Sequence, residues 1–200
     1  MNNNNKGLVV MCLVGVFAVF IGVALIKTSR SGSGNNQAFT RGDLNTLIGK
    51  PMPDIELFDK EGKPYSLNNV RGKNVVLFFN EGIMCYPACW NQVAQFGADP
   101  RFNSQDAVAF SVVVDQPNQW RQAMSKMPEL ASATILFDQG VKVSRSLGLL
   151  SLPSSMHKGS YPGHTYIILD KEGVVRFVYD DPSMAVNNDM INQKISSFNN

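Results

Sequence analysis

Two cysteines separated by three residues are the part of this sequence most suited to chemistry. Cys85 and Cys89, in the segment CYPAC, follow an apolar run at residues 75–79 and stand at the beginning of a helix-like stretch at residues 87–96. The first turn of a helix stabilises an anion, so a thiol placed there can fall in pKa from about 8.5 to between about 3.5 and 7.5. Because the thiolate is the reactive form of cysteine, the pattern predicts thiol redox or metal chemistry at this loop.

A structural role for the two cysteines is the alternative interpretation. A disulfide that closes a ring of about five residues gains only about 2 kcal/mol in the chain-entropy model, against about 4.7 kcal/mol for a loop of 100 residues. So short a ring is a poor position for a stabilising cross-link. Two reduced, buried cysteines that act as small hydrophobic side chains are the other structural possibility.

A histidine far along the chain is the second candidate for chemistry. His164, in the segment PGHT, precedes an apolar run at residues 166–169, and its imidazole could accept a thiol proton, pair with a thiolate or bind a metal. The other histidine in the sequence, His157, lies in a loop and is expected to face solvent. Glu81, just ahead of the cysteines, is expected to be a surface carboxylate.

Apolar runs that alternate with helix-like stretches predict an α/β fold. The runs have the length and composition of buried strands, and they cover residues 75–79, 109–114, 135–137 and 166–169. The helix-like stretches cover residues 87–96, 117–127 and 141–147, and a last helix is expected over residues 188–197. Two hairpins are expected, over residues 54–67 and 166–179.

The first 46 residues differ in composition from the rest. Residues 7–26 carry no charged side chain and would span about 30 Å as a helix. This run is longer than the core of a signal peptide and lacks an A-x-A site, so a cleaved leader or a lipoprotein signal at Cys12 is the weaker interpretation. We predict a transmembrane anchor over residues 1–27, a flexible Ser/Gly/Asn-rich linker over residues 28–46 and one folded domain over residues 47–200.

The charge balance bears on possible partners. The chain has 18 Lys and Arg against 16 Asp and Glu, and the excess comes from Lys6 and Lys27 beside the apolar segment. A neutral domain without a basic run lacks the electrostatic character of a nucleic-acid binder. The charges on the two sides of the apolar segment do not orient it. Thiol redox chemistry favours an extracytoplasmic position for the domain.

The order of these segments resembles the thioredoxin-like superfamily and, within it, the alkyl hydroperoxide reductase/thiol-specific antioxidant (peroxiredoxin-like) family. The resemblance covers about residues 47–180 and is carried by RGKNVVLFF (residues 71–79), the cysteine loop and TYIILDKEGV (residues 165–174). It implies a thioredoxin fold, with a central mixed sheet flanked by helices. It also implies reduction of peroxides or disulfides by Cys85 and Cys89 with His164, without a bound cofactor and with an external thiol as reductant.

The resemblance leaves two assignments of the cysteines open. In thioredoxins the first cysteine attacks, and accessibility at the start of a helix favours Cys85 in that role, with Cys89 resolving. In peroxiredoxins a Cys-x-x-Gln/Glu segment follows the peroxidatic cysteine, and CWNQ (residues 89–92) matches it. The Thr that usually precedes the peroxidatic cysteine is missing here. His164 stands about where peroxiredoxins carry an Arg and thioredoxins a cis-proline.

Three further residues are expected to line the substrate site. They are Pro87, Trp90 and Thr165, which flank the candidate catalytic residues, although packing in the core is the alternative for Trp90.

The two cysteines with a distal histidine also resemble the Sco family of copper-handling proteins. That resemblance implies Cys85, Cys89 and His164 as copper ligands, a set of soft thiolates and imidazole that suits copper. A thioredoxin-like reductase of protein disulfides is the remaining alternative.

Overall fold

The structure is a computed structural model that describes residues 44–198. Its strands are β1 (Leu57–Phe58), β2 (Pro64–Tyr65), β3 (Asn74–Phe79), β4 (Ala107–Val113), β5 (Thr134–Phe137), β6 (Thr165–Leu169) and β7 (Val175–Asp180). Its α-helices are α1 (Ala88–Ala98), α2 (Pro117–Lys126), α3 (Lys142–Ser146) and α4 (Asn188–Ser196). The strands form one mixed sheet in the order β2-β1-β5-β4-β3-β6-β7.

Strand β3 lies inside the sheet, and all six of its residues are buried. It pairs in parallel with β4 and antiparallel with β6. Val76 and Phe78 pack on one face of the sheet against side chains of α1, α2 and α4. Val75, Leu77 and Phe79 pack on the other face, in the cluster that includes α3. A strand covered on both faces needs apolar residues at every position, as the run NVVLFF supplies after its first residue.

The direction of the strands brings two distant segments to one edge of the sheet. Strand β3 ends at Phe79 and leads through the 3-10 turn Gly82–Met84 into α1. Strand β6 runs antiparallel to β3, and its first residue, Thr165, pairs with Phe79. The chain just before β6 therefore lies beside the chain just after β3, although the two are more than 80 residues apart in sequence.

The α/β architecture predicted from the sequence is confirmed. The predicted strands and helices are present with ends shifted by a few residues, and both expected hairpins form. The predicted anchor over residues 1–27, and the linker up to residue 43, lie outside the described residues. The last residues of the predicted linker begin the 3-10 turn Leu44–Leu47. Within residues 44–198 no helix is long and apolar enough to cross a membrane.

Helix α1 approaches the 3-10 turn Pro128–Ser132 closely at Gly97. A Cβ atom on Gly97 would lie 2.6 Å from the backbone nitrogen of Ala133 and 2.7 Å from the carbonyl carbon of Ser132. Because those are backbone atoms, the contact cannot be relieved by a side-chain rotation. The position of α1, and of the cysteine loop at its start, therefore depends on glycine at this residue.

We expect Gly97→Ala to lower the free energy of unfolding by about 2 kcal/mol, because overpacking outweighs the gain of up to about 1 kcal/mol in helix propensity. Urea unfolding of the full-length chain measures the change. Gln95→Ala, on the exposed side of the same helix, is the matched control and should stay within about 0.5 kcal/mol of the unmodified chain. An unchanged or increased stability of Gly97→Ala would contradict the packing argument.

Candidate active site

Cys85 and Cys89 are joined by a disulfide in this structure. Their Cα atoms lie 5.3 Å apart, and both residues are buried, with exposed fractions of 3% and 0%. Cys85 follows the 3-10 turn Gly82–Met84, and Cys89 is the second residue of α1. The backbone N–H of Cys89 donates to the carbonyl of Cys85 at 2.9 Å. The two cysteines are therefore close enough along one turn of the chain to form a disulfide or to separate as a dithiol.

The position of Cys89 favours its thiolate. The residue lies in the first turn of α1, where the helix dipole is positive, and no acidic side chain stands in that turn. After reduction, the helix therefore stabilises negative charge on the Cys89 sulfur.

His164 lies directly beside this sulfur. Its Nδ1 atom is 3.6 Å from Cys89 Sγ, and its ring packs edge-on against Phe78 at 4.6 Å between centroids. Burial lowers the pKa of His164 to about 4, although the negative charge of Asp181 acts in the opposite direction. In this disulfide form the imidazole is therefore neutral at pH 7.

The far side of the His164 ring is held by two oxygen atoms. Its Nε2 atom is 2.7 Å from the hydroxyl of Tyr166 and 3.1 Å from the carbonyl oxygen of Ala185. The Tyr166 hydroxyl in turn donates to Gln92 Oε1 at 2.9 Å. Burial raises the pKa of Tyr166 well above its ordinary value, so its hydroxyl keeps its proton. Tyr166 was not among the expected site residues.

The carboxyl group of Asp115 contacts the start of the cysteine loop. Asp115 Oδ2 accepts a hydrogen bond from the backbone N–H of Ile83 at 3.0 Å, and it touches Gly82 so closely that a Cβ there would overlap it. Burial raises the pKa of Asp115 to about 6, against the effect of the Ile83 N–H, which favours the carboxylate. Asp115 was not among the expected site residues, and its burial depends on the fold.

The expectation that Glu81 is a surface carboxylate is wrong. Its side chain is 1% exposed, and Oε2 pairs with His157 Nδ1 at 2.7 Å. Its Oε1 atom accepts the backbone N–H groups of Met156 and His157 at 2.7 and 3.2 Å. Glu81 is buried because the loop that contains His157 folds over it. Glu81 thereby fastens that loop beside the cysteines.

Pro87 and Thr165, two of the predicted substrate-binding residues, differ in their exposure to solvent. Pro87 is exposed and immediately precedes α1. Thr165 is buried at the start of β6, and its hydroxyl donates to Asp180 Oδ1 at 2.9 Å. The hydroxyl of Thr165 is thus engaged within the protein, whereas Pro87 is open to an approaching molecule.

Trp90, the third predicted substrate-binding residue, is a core residue that also borders a surface groove. Its indole N–H donates to the carbonyl of Gly82 at 3.2 Å, and its ring packs against Tyr86 and Trp120. The groove has a volume of about 450 Å³. It is lined by Ile83, Tyr86, Trp90, Gln119, Gln122, Ala123, Lys126 and Met127. Trp90 therefore packs in the core and also lines a surface groove.

The fold brings the three candidate catalytic residues together. The sulfur atoms of Cys85 and Cys89 and a ring nitrogen of His164 all lie within 4.8 Å of one another. In the disulfide form the two sulfurs are bonded to each other, so three ligands for a metal exist only after reduction. The same grouping serves proton transfer between thiol and imidazole in the dithiol form.

His164 and Asp115 shift the stability of the fold in opposite directions as the pH changes. Unfolded histidine is protonated below its ordinary pKa of 6.5, whereas folded His164 resists protonation down to about 4, so stability is lost as the pH falls through this interval. The folded pKa of Asp115 is about 6 against an ordinary 3.8, so its contribution is lost as the pH rises from about 3.8 to about 6. The two effects partly cancel.

Between pH 7 and pH 4 the unmodified chain loses unfolding free energy through His164, and His164→Asn lacks this loss. We therefore expect the fall in unfolding free energy over this interval to be about 3 kcal/mol smaller for His164→Asn than for the unmodified chain. Asp115→Asn keeps an acceptor for the Ile83 N–H and should change the pH dependence with the opposite sign. Guanidinium unfolding of the three proteins at both pH values measures this. Equal pH dependence in all three would show that neither group titrates as its burial requires.

Comparison with known proteins agrees with this geometry. The sequence model of the AhpC/TSA family matches residues 48–178. Chloroplastic peroxiredoxin Q of Sedum lineare is 33% identical over 134 residues, which cover 66% of this chain and 68% of that protein. For chloroplastic peroxiredoxin Q of Populus jackii the identity is 31%, and the match covers 66% of this chain and 60% of that protein.

Solved structures show the same fold at low sequence identity. Peroxidoxin BcpB from Mycobacterium tuberculosis superposes with a TM-score of 0.62 at 21% identity, over 76% of this chain and 97% of that chain. A yeast mitochondrial 1-Cys peroxiredoxin, whose thiol is resolved via glutathione/thioredoxin systems, gives 0.63 at 16% identity, over 76% of each chain. With a redox disulfide at the start of α1 and this extent of family match, the chain belongs to the AhpC/TSA family and is a thiol-dependent oxidoreductase of the peroxiredoxin type.

Proposed function

We propose that this protein reduces peroxides, with Cys89 as the attacking residue and Cys85 as the resolving one. The observation that carries the assignment is the 3.6 Å contact between Cys89 Sγ and Nδ1 of His164. The contact supplies the sulfur in the first turn of α1 with a neutral base. It favours the peroxiredoxin-like of the two assignments that the sequence leaves open.

The proposed peroxide reduction has three steps. The Cys89 thiolate attacks one oxygen of the peroxide, the O–O bond breaks, and the leaving alkoxide or hydroxide takes a proton, which gives a sulfenic acid and an alcohol or water. The Cys85 thiol then attacks the sulfenic sulfur and releases water, which forms the disulfide seen here. Two electrons and two protons from an external thiol pair restore the dithiol.

Burial of the sulfurs favours a peroxide over a protein disulfide as the oxidising substrate. Cys89 is completely buried, and Cys85 is 3% exposed. A small peroxide can reach a sulfur through a narrow opening, whereas a protein disulfide must be contacted along the line of its S–S bond. The thioredoxin-like alternative therefore requires the loop to open for its oxidising step, whereas the peroxide pathway requires such an opening only when an external protein thiol attacks Cys85.

The reductant is proposed to attack Cys85. Cys85 lies between two exposed apolar side chains, Met84 and Tyr86, which are 50% and 68% exposed and could contact a protein partner. Attack at Cys85 would release Cys89 as the thiolate beside His164. The yeast relative, resolved via glutathione/thioredoxin systems, supports a thiol of one of these two kinds as the donor.

Substitution of each cysteine separates the two roles. We expect Cys89→Ser to abolish hydrogen peroxide consumption, and Cys85→Ser to consume about one equivalent and stop as the sulfenic acid. His164→Gln should slow the first step by about 100-fold. Stopped-flow fluorescence and mass spectrometry of the full-length chain measure these steps. The reverse pattern for the two cysteines would assign the attack to Cys85.

The Sco-like alternative predicts a different result for the same reduced protein. The 4.8 Å grouping of two sulfurs and an imidazole nitrogen would suit Cu(I) after reduction. Stoichiometric Cu(I) binding that disappears in His164→Ala, together with no peroxide turnover in the presence of a thiol donor, would replace the peroxidase proposal with a copper carrier. Turnover of peroxide supports the proposal stated above.

We also propose that residues 7–26 anchor the chain in a membrane, with the redox domain on the extracytoplasmic side. The support is the uncharged run followed by a polar linker. Phe17→Arg with Ile21→Arg should release the protein from carbonate-washed membranes, since each central Arg costs about 2.5–3.5 kcal/mol. Asn35→Arg with Asn36→Arg adds equal charge in the linker and should not. Release by both double substitutions, or by neither, would contradict the membrane anchor. Protection of the redox domain from protease added to sealed cells would contradict its extracytoplasmic orientation.

A further inference from the structure

Buried hydrogen bonds determine which nitrogen of His164 carries the proton. We infer that Gln92 is a positioning residue, which accepts the hydroxyl proton of Tyr166 and thereby holds His164 with its proton on Nε2, so that the lone pair of Nδ1 faces Cys89. The inference rests on the proposed function only in that Cys89 must lose a proton. In the sequence, Gln92 stands out only as the last residue of CWNQ, which resembles a peroxiredoxin motif.

The orientation of the Gln92 amide is determined from both ends. The backbone N–H of Asn187, which can only donate, lies 2.7 Å from one terminal atom, so that atom is the oxygen Oε1. The other terminal atom, Nε2, donates to Asn188 Oδ1 at 2.8 Å. Asn188 is itself oriented by acceptors, because its Nδ2 donates to Asp99 Oδ2 and to the carbonyl of Gln95. A flip of the Gln92 amide would break hydrogen bonds at both ends.

The orientation of Gln92 decides the direction of the Tyr166 hydroxyl. Tyr166 Oη lies 2.9 Å from Gln92 Oε1, 3.3 Å from Asn187 Nδ2 and 2.7 Å from His164 Nε2. Of these three atoms Gln92 Oε1 can only accept, whereas Asn187 Nδ2 can only donate. His164 Nε2 also faces the carbonyl oxygen of Ala185, which can only accept, so the hydroxyl proton points to Gln92 and the Tyr166 oxygen is left as an acceptor toward His164.

His164 thus faces acceptors on its Nε2 side. The Tyr166 oxygen and the carbonyl oxygen of Ala185 both require a proton on Nε2. A neutral imidazole carries one N–H, so Nδ1 is a lone pair. The reduced Cys89 thiol, in the place of the sulfur now 3.6 Å away, would donate to that lone pair. The opposite tautomer would present an N–H to the sulfur and could not take its proton.

The sequence spacing makes this arrangement possible. Gln92 is three residues after Cys89 on α1, and so lies on the same side of that helix. Tyr166 is two residues after His164 at the start of β6, so the two side chains extend toward the same face. One side of α1 therefore supplies Cys89 and Gln92, and the chain at the start of β6 supplies His164 and Tyr166.

Nitrogen-15 NMR of the full-length chain tests the inference without measuring activity. The two-bond ring correlations of a neutral histidine distinguish the Nε2–H from the Nδ1–H form. The chain has two histidines, so the spectrum of His157→Gln assigns the signals of His164. We expect the Nε2–H form in the unmodified protein, in both its disulfide and its dithiol states. Finding the Nδ1–H form would overturn the inference.

A set of variants tests the role of Gln92 itself. Gln92→Leu removes the acceptor, so the Tyr166 hydroxyl can donate to His164 Nε2; we expect a shift toward the Nδ1–H form and an at least about tenfold slower reaction with hydrogen peroxide. Gln92→Glu keeps an acceptor oxygen and should keep the tautomer. Gln92→Leu with Tyr166→Phe removes the competing donor, and the Ala185 carbonyl should restore the Nε2–H form.

A purely structural role for Gln92 would give another result. It would slow Gln92→Leu without changing the tautomer, and Tyr166→Phe would then worsen the variant rather than rescue it. Either outcome overturns the inference. The proposed function fails separately, if Cys89→Ser still consumes peroxide while His164 retains the Nε2–H form.

Discussion

The antiparallel pairing of β6 with β3 is the constraint on which the site depends. Thr165 pairs with Phe79, so the residue before β6 is held next to the residues after β3 by the backbone hydrogen bonds of the sheet. This register brings His164 to the start of α1. A shift of β6 by one residue would turn His164 to the other face of the sheet, away from Cys89.

Burial then gives His164 its chemical character. The ring is completely buried, which keeps it neutral at pH 7, and a buried polar group is tolerated only when its hydrogen bonds are made. Both ring nitrogens have partners, sulfur on one side and oxygen on the other. The cost of burying the imidazole is thus offset by the same contacts that orient it toward Cys89, and stability and reactivity share one set of interactions.

The site departs from the usual pattern of the family in a physically consistent way. The family resemblance of the sequence implies an arginine about where His164 lies, and that permanently charged group stabilises a thiolate but cannot accept a proton. A neutral histidine can accept the proton that leaves the thiol. Stabilisation of the resulting anion is left to the first turn of α1, while Asp115 and Glu81 hold the surrounding loops by accepting hydrogen bonds from backbone N–H groups.

The sequence by itself determined the α/β class, most element positions and the reactive pair, because apolar periodicity and the spacing of Cys85 and Cys89 are local properties. It also marked His164 through its place before a predicted strand. Only the tertiary structure decided that His164 contacts Cys89, that Glu81 is buried and that Gln92 and Tyr166 belong to the site. Those facts depend on strand register and on which side chains share a buried volume, and contacts between residues more than 70 positions apart leave no periodic signal in a single sequence.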